Sequence, residues 1–458
     1  MTSINGLPDE VLVSIFSRLS LEERHRSAAL ACRRWRQLCT SAPQLLRCIG
    51  ASFEGSQRGV DRLQAFCAWL VQHGAGRVER LSLQVFEAEE SFDARYAAEQ
   101  QAAAALSTAL AACGAAGSLT ALRLAGLLGQ TGMWAGAMRG LRQLWIDAAS
   151  LDVQSWASPP GCLATLEELC ASGRIEVAPF MPLPANLTKL YLYCGNQLST
   201  TPLPRKLSTL TRLHALYLNF AEEGLSTLAH LSPSLRHLSL VNSHWPACLS
   251  QLTGLESLYL DYHDPPGAPQ AAAASAAAAV AAALHGPSGP RLQQLTRLAL
   301  DWLPGEPAPQ AELAALRSLQ NFVWLSYSQD IPPGPWLARL QSLMACVGPL
   351  ARLAPALPAA APNLEFLGVQ CDAGSKEQLG AVLRCIPRLP ALRRAAMEGS
   401  TAHFSLSLQP LMDAQRAAPH VAFHFFDRLS MSGSDSFLRA CGHETIPDMS
   451  EQAFFSAQ

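Results

Sequence analysis

The residues whose types and spacing suggest chemistry lie near the C-terminus. Ser434 follows Gly433 in a short GSDS run, and Cys441 stands two residues before His443. A nucleophilic serine needs a strand, a sharp turn and a helix around it, and this polar tail predicts none of them. A zinc ion needs about four ligands, of which Cys441 and His443 supply two. Because the chain also lacks a glycine-rich phosphate loop, we expect no enzyme activity, no cofactor and no metal.

The composition argues against two other classes of function. The formal net charge of the 458 residues is -2 and the longest basic run is RRWR, so nucleic acid is not an expected partner. The longest weakly apolar run, residues 271–284, is rich in alanine and too short to cross a bilayer. Thirteen scattered cysteines without a C-x-x-C pair predict reduced, buried thiols. We expect no membrane partner, and a protein of the cytoplasm, the nucleus or both.

The middle of the chain repeats one short motif, LxxLxL. Its copies begin at Val78, Leu119, Leu141, Leu166, Leu187, Leu213, Leu235, Leu255, Leu295, Leu319, Leu340, Leu364 and Leu392. They are 20 to 28 residues apart, except for gaps of 41 residues after Val78 and 40 after Leu255, where we expect an eroded or insertion-bearing repeat. The period resembles that of leucine-rich repeats. Each motif then forms a short strand, and stacked repeats build one parallel sheet along a concave face.

Side chains between the apolar positions of each motif are expected to point outward on that concave face. Aromatic and acidic residues concentrate in its middle, and we call them the concave strip: Trp145, Asp147, Tyr191, Tyr193, Tyr217, Asn219, Tyr259, Asp261 and Asp301. Exposed aromatic rings beside charged groups are typical of protein-binding hot spots. We therefore predict a protein-substrate site on the concave strip. The alternative is that these large side chains pack against neighbouring strands and stabilise the sheet.

The first 48 residues predict three short helices. Pro8 and the acidic pair after it are typical of a helix start. An apolar stripe follows at Val11, Leu12, Ile15, Phe16 and Leu19, and it must be buried somewhere. The third helix carries Trp35, which the three helices are expected to share.

These N-terminal residues resemble an F-box, through LPDEVL, the apolar residues that follow, and LACRRWRQL. The matching positions are Leu7, Pro8, Val11, Leu12, Ile15, Leu19, Leu30, Cys32 and Trp35. The resemblance implies that they fold the domain and bind a Skp-type adaptor, and through it a cullin. The sequence departs from the family at Arg24, His25 and Arg26, where apolar residues are common.

The two resemblances imply an α/β protein, with a three-helix F-box at residues 1–48 followed by a leucine-rich-repeat solenoid with a concave parallel sheet. Residues 49–77 are expected to be a linker or N-terminal cap. The solenoid spans 78–428, with a low-complexity insertion at about 264–290, and 429–458 form a tail. The function implied is that of a non-catalytic, substrate-recognition subunit of a Skp-cullin-F-box ubiquitin ligase. Two alternatives are a leucine-rich-repeat scaffold without a role in ubiquitin transfer, and an F-box receptor that senses a small molecule.

Overall fold

The computed structural model describes most of the helices and strands of the chain. The described residues are 4–19, 21–86, 92–126, 138–152, 163–176, 183–194, 207, 209–220, 231–241, 249, 252–261, 285–286, 289–290, 292–301, 310–326, 329–371, 376–399 and 408–427. They divide into two compact units, one within Met1–Lys206 and one within Leu207–Ile446.

Five short helices open the first unit. They are α1 (Asp9–Phe16), α2 (Leu21–Glu23), α3 (Ala29–Ala31), α4 (Arg33–Ser41) and α5 (Pro43–Leu46). A π-helical turn, Arg24–Ala28, joins α2 to α3, and we call residues 21–31 the second helical segment. The predicted three helices correspond to α1, this segment and α4. Pro8 immediately precedes α1, and its carbonyl accepts the first helical hydrogen bond from the Leu12 N–H at 3.1 Å.

Six parallel strands follow in the first unit. They are β1 (Cys48–Glu54), β2 (Arg80–Phe86), β3 (Ala121–Gly126), β4 (Gln143–Asp152), β5 (Glu168–Glu176) and β6 (Lys189–Cys194), and each pairs with the next in chain order. Helix α6 (Gln57–Trp69) lies between β1 and β2 along the chain, and α7 (Phe92–Ala115) lies between β2 and β3.

The second unit holds nine further strands of parallel sheet. They are β7 (Ala215–Phe220), β8 (His237–Val241), β9 (Ser257–Asp261), β12 (Arg297–Asp301), β13 (Asn321–Trp324), β14 (Ser342–Cys346), β15 (Phe366–Gln370), β16 (Arg394–Gly399) and β17 (Ala422–Asp427). A two-residue hairpin, β10 (His285–Gly286) with β11 (Gly289–Pro290), stands apart from them. The helices are α8 (Gln310–Ala315), α9 (Val347–Leu353), α10 (Leu357–Ala360), α11 (Lys376–Cys385) and α12 (Leu408–Ala417), and 3-10 turns occur at Pro335–Arg339 and Ile386–Arg388.

Every LxxLxL motif coincides with a strand, and each strand begins two residues after its motif does. A repeated backbone contact fixes this offset. For example, the Arg142 carbonyl accepts from the N–H groups of Glu167 and Glu168, at 2.8 and 2.9 Å. The first apolar residue of each motif therefore lies before the hydrogen-bonded strand, and it is buried. The predicted parallel sheet built from successive motifs is confirmed.

Among the described residues, neither of the two wide gaps between motifs adds a strand to the sheet. β2 pairs directly with β3, and β9 pairs directly with β12. Of the two expected alternatives, an eroded or an insertion-bearing repeat, this direct pairing favours the insertion-bearing one. In the first gap, the chain forms the 24-residue helix α7, whose alanine-rich sequence has a high intrinsic helix propensity.

Residues 49–77, expected to be a linker or cap, contain most of β1 and all of α6. β1 pairs with β2 over its whole length, from Cys48 with Arg80 to Glu54 with Phe86, so the sheet begins before residue 78. Ile49 and Phe53 carry the buried alternation of this strand, but without leucines it does not match the motif. Most of the expected insertion at 264–290 and all of the tail at 429–458 lie outside the described residues.

Candidate functional site

The apolar stripe of α1 divides between two faces of the helix. Leu12 and Phe16, one turn apart, are fully buried, whereas Val11 and Ile15 are 42% and 40% exposed. Residues four positions apart share a helix face, so one pair points into the domain and the other points out. The nine predicted F-box positions therefore have two different roles.

The inward positions form the core of the F-box helices. The buried members are Leu12, Phe16, Ala28, Ala29, Cys39, Ala42 and Leu45, and partly buried Leu7, Val13, Leu19, Trp35 and Leu38 pack against them. The rings of Phe16 and Trp35 meet edge to face, with centroids 5.1 Å apart and planes at 65°. This geometry suits the aromatic quadrupole, and it joins α1 to α4. Trp35 thus joins two of the three helices that were expected to share it.

The outward positions leave large apolar side chains at the surface. Leu30 on α3 is 66% exposed, Ile4 is 49% exposed, and Pro8 is exposed beside the start of α1. Cys32 is half-buried and precedes α4. We call Val11, Ile15 and Leu30 the outer face. Val11 and Ile15, four residues apart, share one face of α1, and a contiguous exposed apolar surface is a candidate site for protein contact.

Two arginines hold these short helices in place. The Arg34 guanidinium on α4 donates to the Asp9 carboxylate through Nε at 2.8 Å and to the Leu7 carbonyl through Nη2 at 2.7 Å. The Arg24 guanidinium is buried and donates to the Leu45 carbonyl at 2.6 Å, near the end of α5. A cation at a helix C-terminus satisfies a carbonyl that has no partner within the helix. Burial lowers the pKa of Arg24, although the Cys39 side chain partly opposes this shift. The departure from the family at Arg24 thus has a structural role here.

In the first unit, the concave strip mixes buried and exposed side chains. Trp145 and Tyr191 are only 3% and 8% exposed, whereas Asp147 and Tyr193 are exposed. The Trp145 indole N–H donates to Oε1 of Glu168 at 2.9 Å, and the Gln143 amide donates to Oε2 of the same carboxylate at 3.3 Å. Cys170 is buried next in this row, and desolvation, with the Glu168 and Asp147 carboxylates, raises its pKa well above the usual value.

In the second unit, most of the strip is also covered. Tyr217 is 6% exposed and Asn219 is buried, while Tyr259 and Asp261 are half-buried. Tyr259 packs against a cluster formed by Ala299, Val323, Met344, Phe366 and Ala396, one residue from each of five successive strands. Asp301 pairs with Asp261 in the ladder, and its side chain lies outside the described part.

These positions correct the expected exposure of the concave strip. Trp145, Tyr191 and Tyr217 do not present open rings, since at most 8% of each residue is exposed. For Trp145, Glu168 on the adjacent strand is part of the cover, which agrees with the alternative interpretation. Strand alternation fixes the face to which a side chain points, but not what lies against that face. Asp147 and Tyr193 are the predicted members that remain exposed in the first unit, with Ser172 between them in the ladder.

The sequence analysis missed Glu168, the buried carboxylate that orients Trp145. Its signal was available: Glu168 lies two residues before Cys170 and therefore points to the same face of β5. Glu168 precedes the second apolar residue of its motif, whereas the concave strip contains only positions after that residue.

The described part of the chain has few other groups that suggest a metal site, a membrane span or a reactive thiol. No group of three or more His, Cys, Asp or Glu residues there could hold a metal ion, and Cys441 and His443 lie outside it. None of the helices described is both long and apolar enough to cross a bilayer. Nine cysteines whose side chains the structure describes are free thiols, and seven of these nine are buried.

Comparison with known proteins identifies the helical domain. The family model described as F-box-like matches residues 4–50. The N-terminal domain is F-box-like. Among solved structures, the chain is similar to a chain in the crystal structure of the yeast Rad7 and Elc1 complex, at 15% sequence identity and a TM-score of 0.40. That similarity covers 80% of this chain and 90% of the other.

Proposed function

We propose that this protein is a substrate-recognition subunit of a Skp-cullin-F-box ubiquitin ligase. The observation that carries the proposal is the outer face of the F-box-like domain, where Val11, Ile15 and Leu30 expose large apolar side chains over a packed core. Burying such side chains contributes about 1.5 to 3 kcal/mol each, so a Skp-type adaptor that covers all three gains a substantial binding free energy.

The remaining strands are proposed to be leucine-rich repeats that hold a protein substrate. The support is the coincidence of the motifs with successive parallel strands, together with the exposed Asp147 and Tyr193 on neighbouring rows of the first unit. In this proposal the chain supplies no acid, base or nucleophile. It raises the effective concentration of a substrate lysine near a ubiquitin-loaded enzyme on other subunits. The cytoplasm and the nucleus, where such ligases act, are its proposed locations.

A pull-down with a purified Skp-type adaptor tests the adaptor half of the proposal. Val11→Glu and Leu30→Glu should each abolish capture, because a carboxylate cannot be buried unpaired in an apolar interface. The matched control is Ser14→Glu, which places the same charge at an exposed position of α1. Full capture by the Val11 and Leu30 variants would refute the assignment.

The substrate half is tested by affinity purification with the proteasome blocked. The same substrate proteins should be recovered with wild type and with Val11→Glu, because the outer face is separate from the repeats. The adaptor, and ubiquitin-modified forms of those substrates, should be recovered with the wild type alone. Partners that accumulate unmodified with both proteins would favour a scaffold over a ligase subunit.

A further inference from the structure

A cleft of about 540 Å³ lies between the F-box-like helices and the first strand of the sheet. Its volume is within the range of binding sites for small molecules and short peptides. Three elements line it: the second helical segment, β1 and α6. The lining includes His25 and Arg26 of the second helical segment, residues 50–53 of β1, and Arg62, Phe66 and Trp69 of α6. None belongs to the outer face or to the concave strip.

The cleft runs along the free edge of β1. Among the described strands, β1 pairs with β2 alone. Four consecutive residues of β1 line the cleft, and successive side chains point to opposite faces of a strand, so the cleft meets the strand at its edge. An unpaired edge offers a row of N–H and C=O groups to another chain.

The direction of those backbone groups follows from the ladder. The Arg47 carbonyl accepts from the Arg80 N–H at 3.0 Å, so Arg47 and alternate residues after it face β2. The N–H and C=O groups of Gly50 and Ser52 then point away from β2, toward the cleft. No described group bonds to them on that side.

The side chains around this edge favour an anionic, partly apolar ligand. Phe66 stacks on Trp69 with centroids 5.8 Å apart and lies 5.6 Å from Phe53, forming an aromatic wall. Arg26 and Arg62 place two cations in the lining, which contains no acidic residue. Burial and then the positive charges of Arg24 and His73 lower the pKa of His25, which indicates a positive local potential.

Two buried polar atoms beside the cleft have no hydrogen-bond partner. They are Nε1 of Trp69 and Nε2 of His25, and the two rings meet edge to face at 5.3 Å. A buried polar group without a partner costs about 1 to 3 kcal/mol. Because both atoms are closed to the surface, they mark incomplete hydrogen bonding in the wall of the cleft.

We propose that this cleft binds an extended acidic peptide segment of a partner protein as an additional strand on the free edge of β1. The outward groups of Gly50 and Ser52 bond the peptide backbone, its carboxylates lie near Arg26 and Arg62, and its apolar side chains contact the aromatic wall. Main-chain bonds give such an interaction its affinity, and alternate side chains give its specificity. This site goes beyond the proposed adaptor and concave-face functions and uses different residues.

Fluorescence anisotropy with the full-length chain tests the site. The probe is a fluorescein-labelled peptide of about seven residues with alternating Val and Glu, which would lie along β1 at about 3.3 Å per residue. It should bind at least about tenfold more tightly than the same peptide with Lys in place of Glu, a difference of about 1.4 kcal/mol.

Two variants separate strand addition from simple charge attraction. Ser52→Pro removes the outward N–H while leaving the β2 ladder intact, and proline is accepted at such edge positions. Ala65→Trp fills the cleft from an exposed site on α6. Each should weaken binding at least about tenfold. Ser52→Val, which keeps the N–H, and Arg77→Gln, an exposed arginine outside the lining, should stay near wild type.

The proposal is overturned by any of four results. They are no binding to wild type at about 100 μM peptide, full binding to both Ser52→Pro and Ala65→Trp, displacement by inorganic phosphate without any effect of Ser52→Pro, and self-association of wild type that Ser52→Pro abolishes. The last would identify a second copy as the occupant. Circular dichroism and thermal unfolding of each variant show whether the domain is folded, which keeps this test independent of the proposed adaptor contact.

Discussion

The indole N–H of Trp145 donates a 2.9 Å hydrogen bond to the carboxylate of Glu168 on the adjacent strand. Both side chains are buried, so the bond ties β4 to β5 on the face where sequence alone predicts open aromatic rings. The Gln143 amide occupies the second carboxylate oxygen. The Trp145 ring is therefore part of the sheet's own packing.

Replacing Trp145 by Phe should lower the stability of the first unit. The ring volume is largely kept, but the buried Glu168 carboxylate loses its indole donor, at a cost of about 1 to 3 kcal/mol. Urea denaturation of the wild type and the variant measures the change. Asp147→Asn, at an exposed position two residues away, is the control and should leave the transition unchanged. A stable Trp145→Phe protein that fails to capture substrates would instead return this ring to the binding site.

The two faces of α1 should separate stability from binding. Leu12→Ala removes a fully buried side chain and should destabilise the F-box-like domain by about 2 to 5 kcal/mol. Ile15→Ala, on the outer face, should change stability by less than about 1 kcal/mol and weaken adaptor capture. Thermal unfolding and the pull-down are compared for both variants. Equal loss of stability in the two would contradict the division into faces.

Gly59→Ala should destabilise the first unit, because the position has no room for a side chain. A Cβ there would lie 1.9 Å from the Glu54 carbonyl oxygen at the end of β1, so α6 and β1 must move apart. Overpacking of this kind costs about 1 to 3 kcal/mol or more. Gly6→Ala, in the same unit, meets no atom within 4 Å and serves as the control. Equal thermal unfolding midpoints for Gly59→Ala and Gly6→Ala would show that α6 moves away from β1 at little cost in stability.

The buried Cys67 thiol should make the first unit sensitive to alkali. Desolvation, and then the neighbouring Cys113 thiol, raise the pKa of Cys67 from 9.0 to about 12. Because the thiol ionises at lower pH in the unfolded state than in the folded state, raising the pH favours unfolding. The contribution of the neutral buried thiol to the free energy of unfolding is therefore complete below pH 9 and is lost as the pH rises toward about 12. The urea concentration at the unfolding midpoint should therefore decrease as the pH is raised from 9 to 11. The decrease should be smaller in Cys67→Ala. An identical pH slope in the two proteins would exclude this thiol as the cause.

The strands were predictable because the LxxLxL motif carries both of the signals that fix them. Its first leucine lies in the turn, and the next two apolar residues alternate into the core, as at Leu166, Leu169 and Ala171. β1 was not recognised because Ile49 and Phe53 give alternation without leucine. A pairing partner, β2, defines this strand, and pairing is a tertiary property.

Which apolar side chains are covered was less predictable. Val11 and Leu12 are adjacent and equally apolar, yet only the packing of Phe16 on Trp35 decides which of them faces inward. Likewise, Trp145 and Asp147 share one face of β4, but Glu168 and its neighbours cover the first and leave the second open. Periodicity assigns a direction to each side chain, whereas burial depends on elements far away in sequence.

One residue, Arg47, separates α5 from β1. Its N–H still bonds to the Pro43 carbonyl of the helix, while its own carbonyl receives the first two N–H groups of the β2 ladder and its guanidinium donates to Glu79 at 2.6 Å. The same residue thus belongs to the helix end and to the sheet, which restricts rotation of α5 relative to β1. In a ligase of the proposed kind, we therefore expect the F-box-like helices to keep a fixed orientation relative to β1. The distance between the adaptor and a substrate bound on β1 to β6 is then fixed. The movement that brings a substrate lysine to ubiquitin must come from the substrate or from the other subunits.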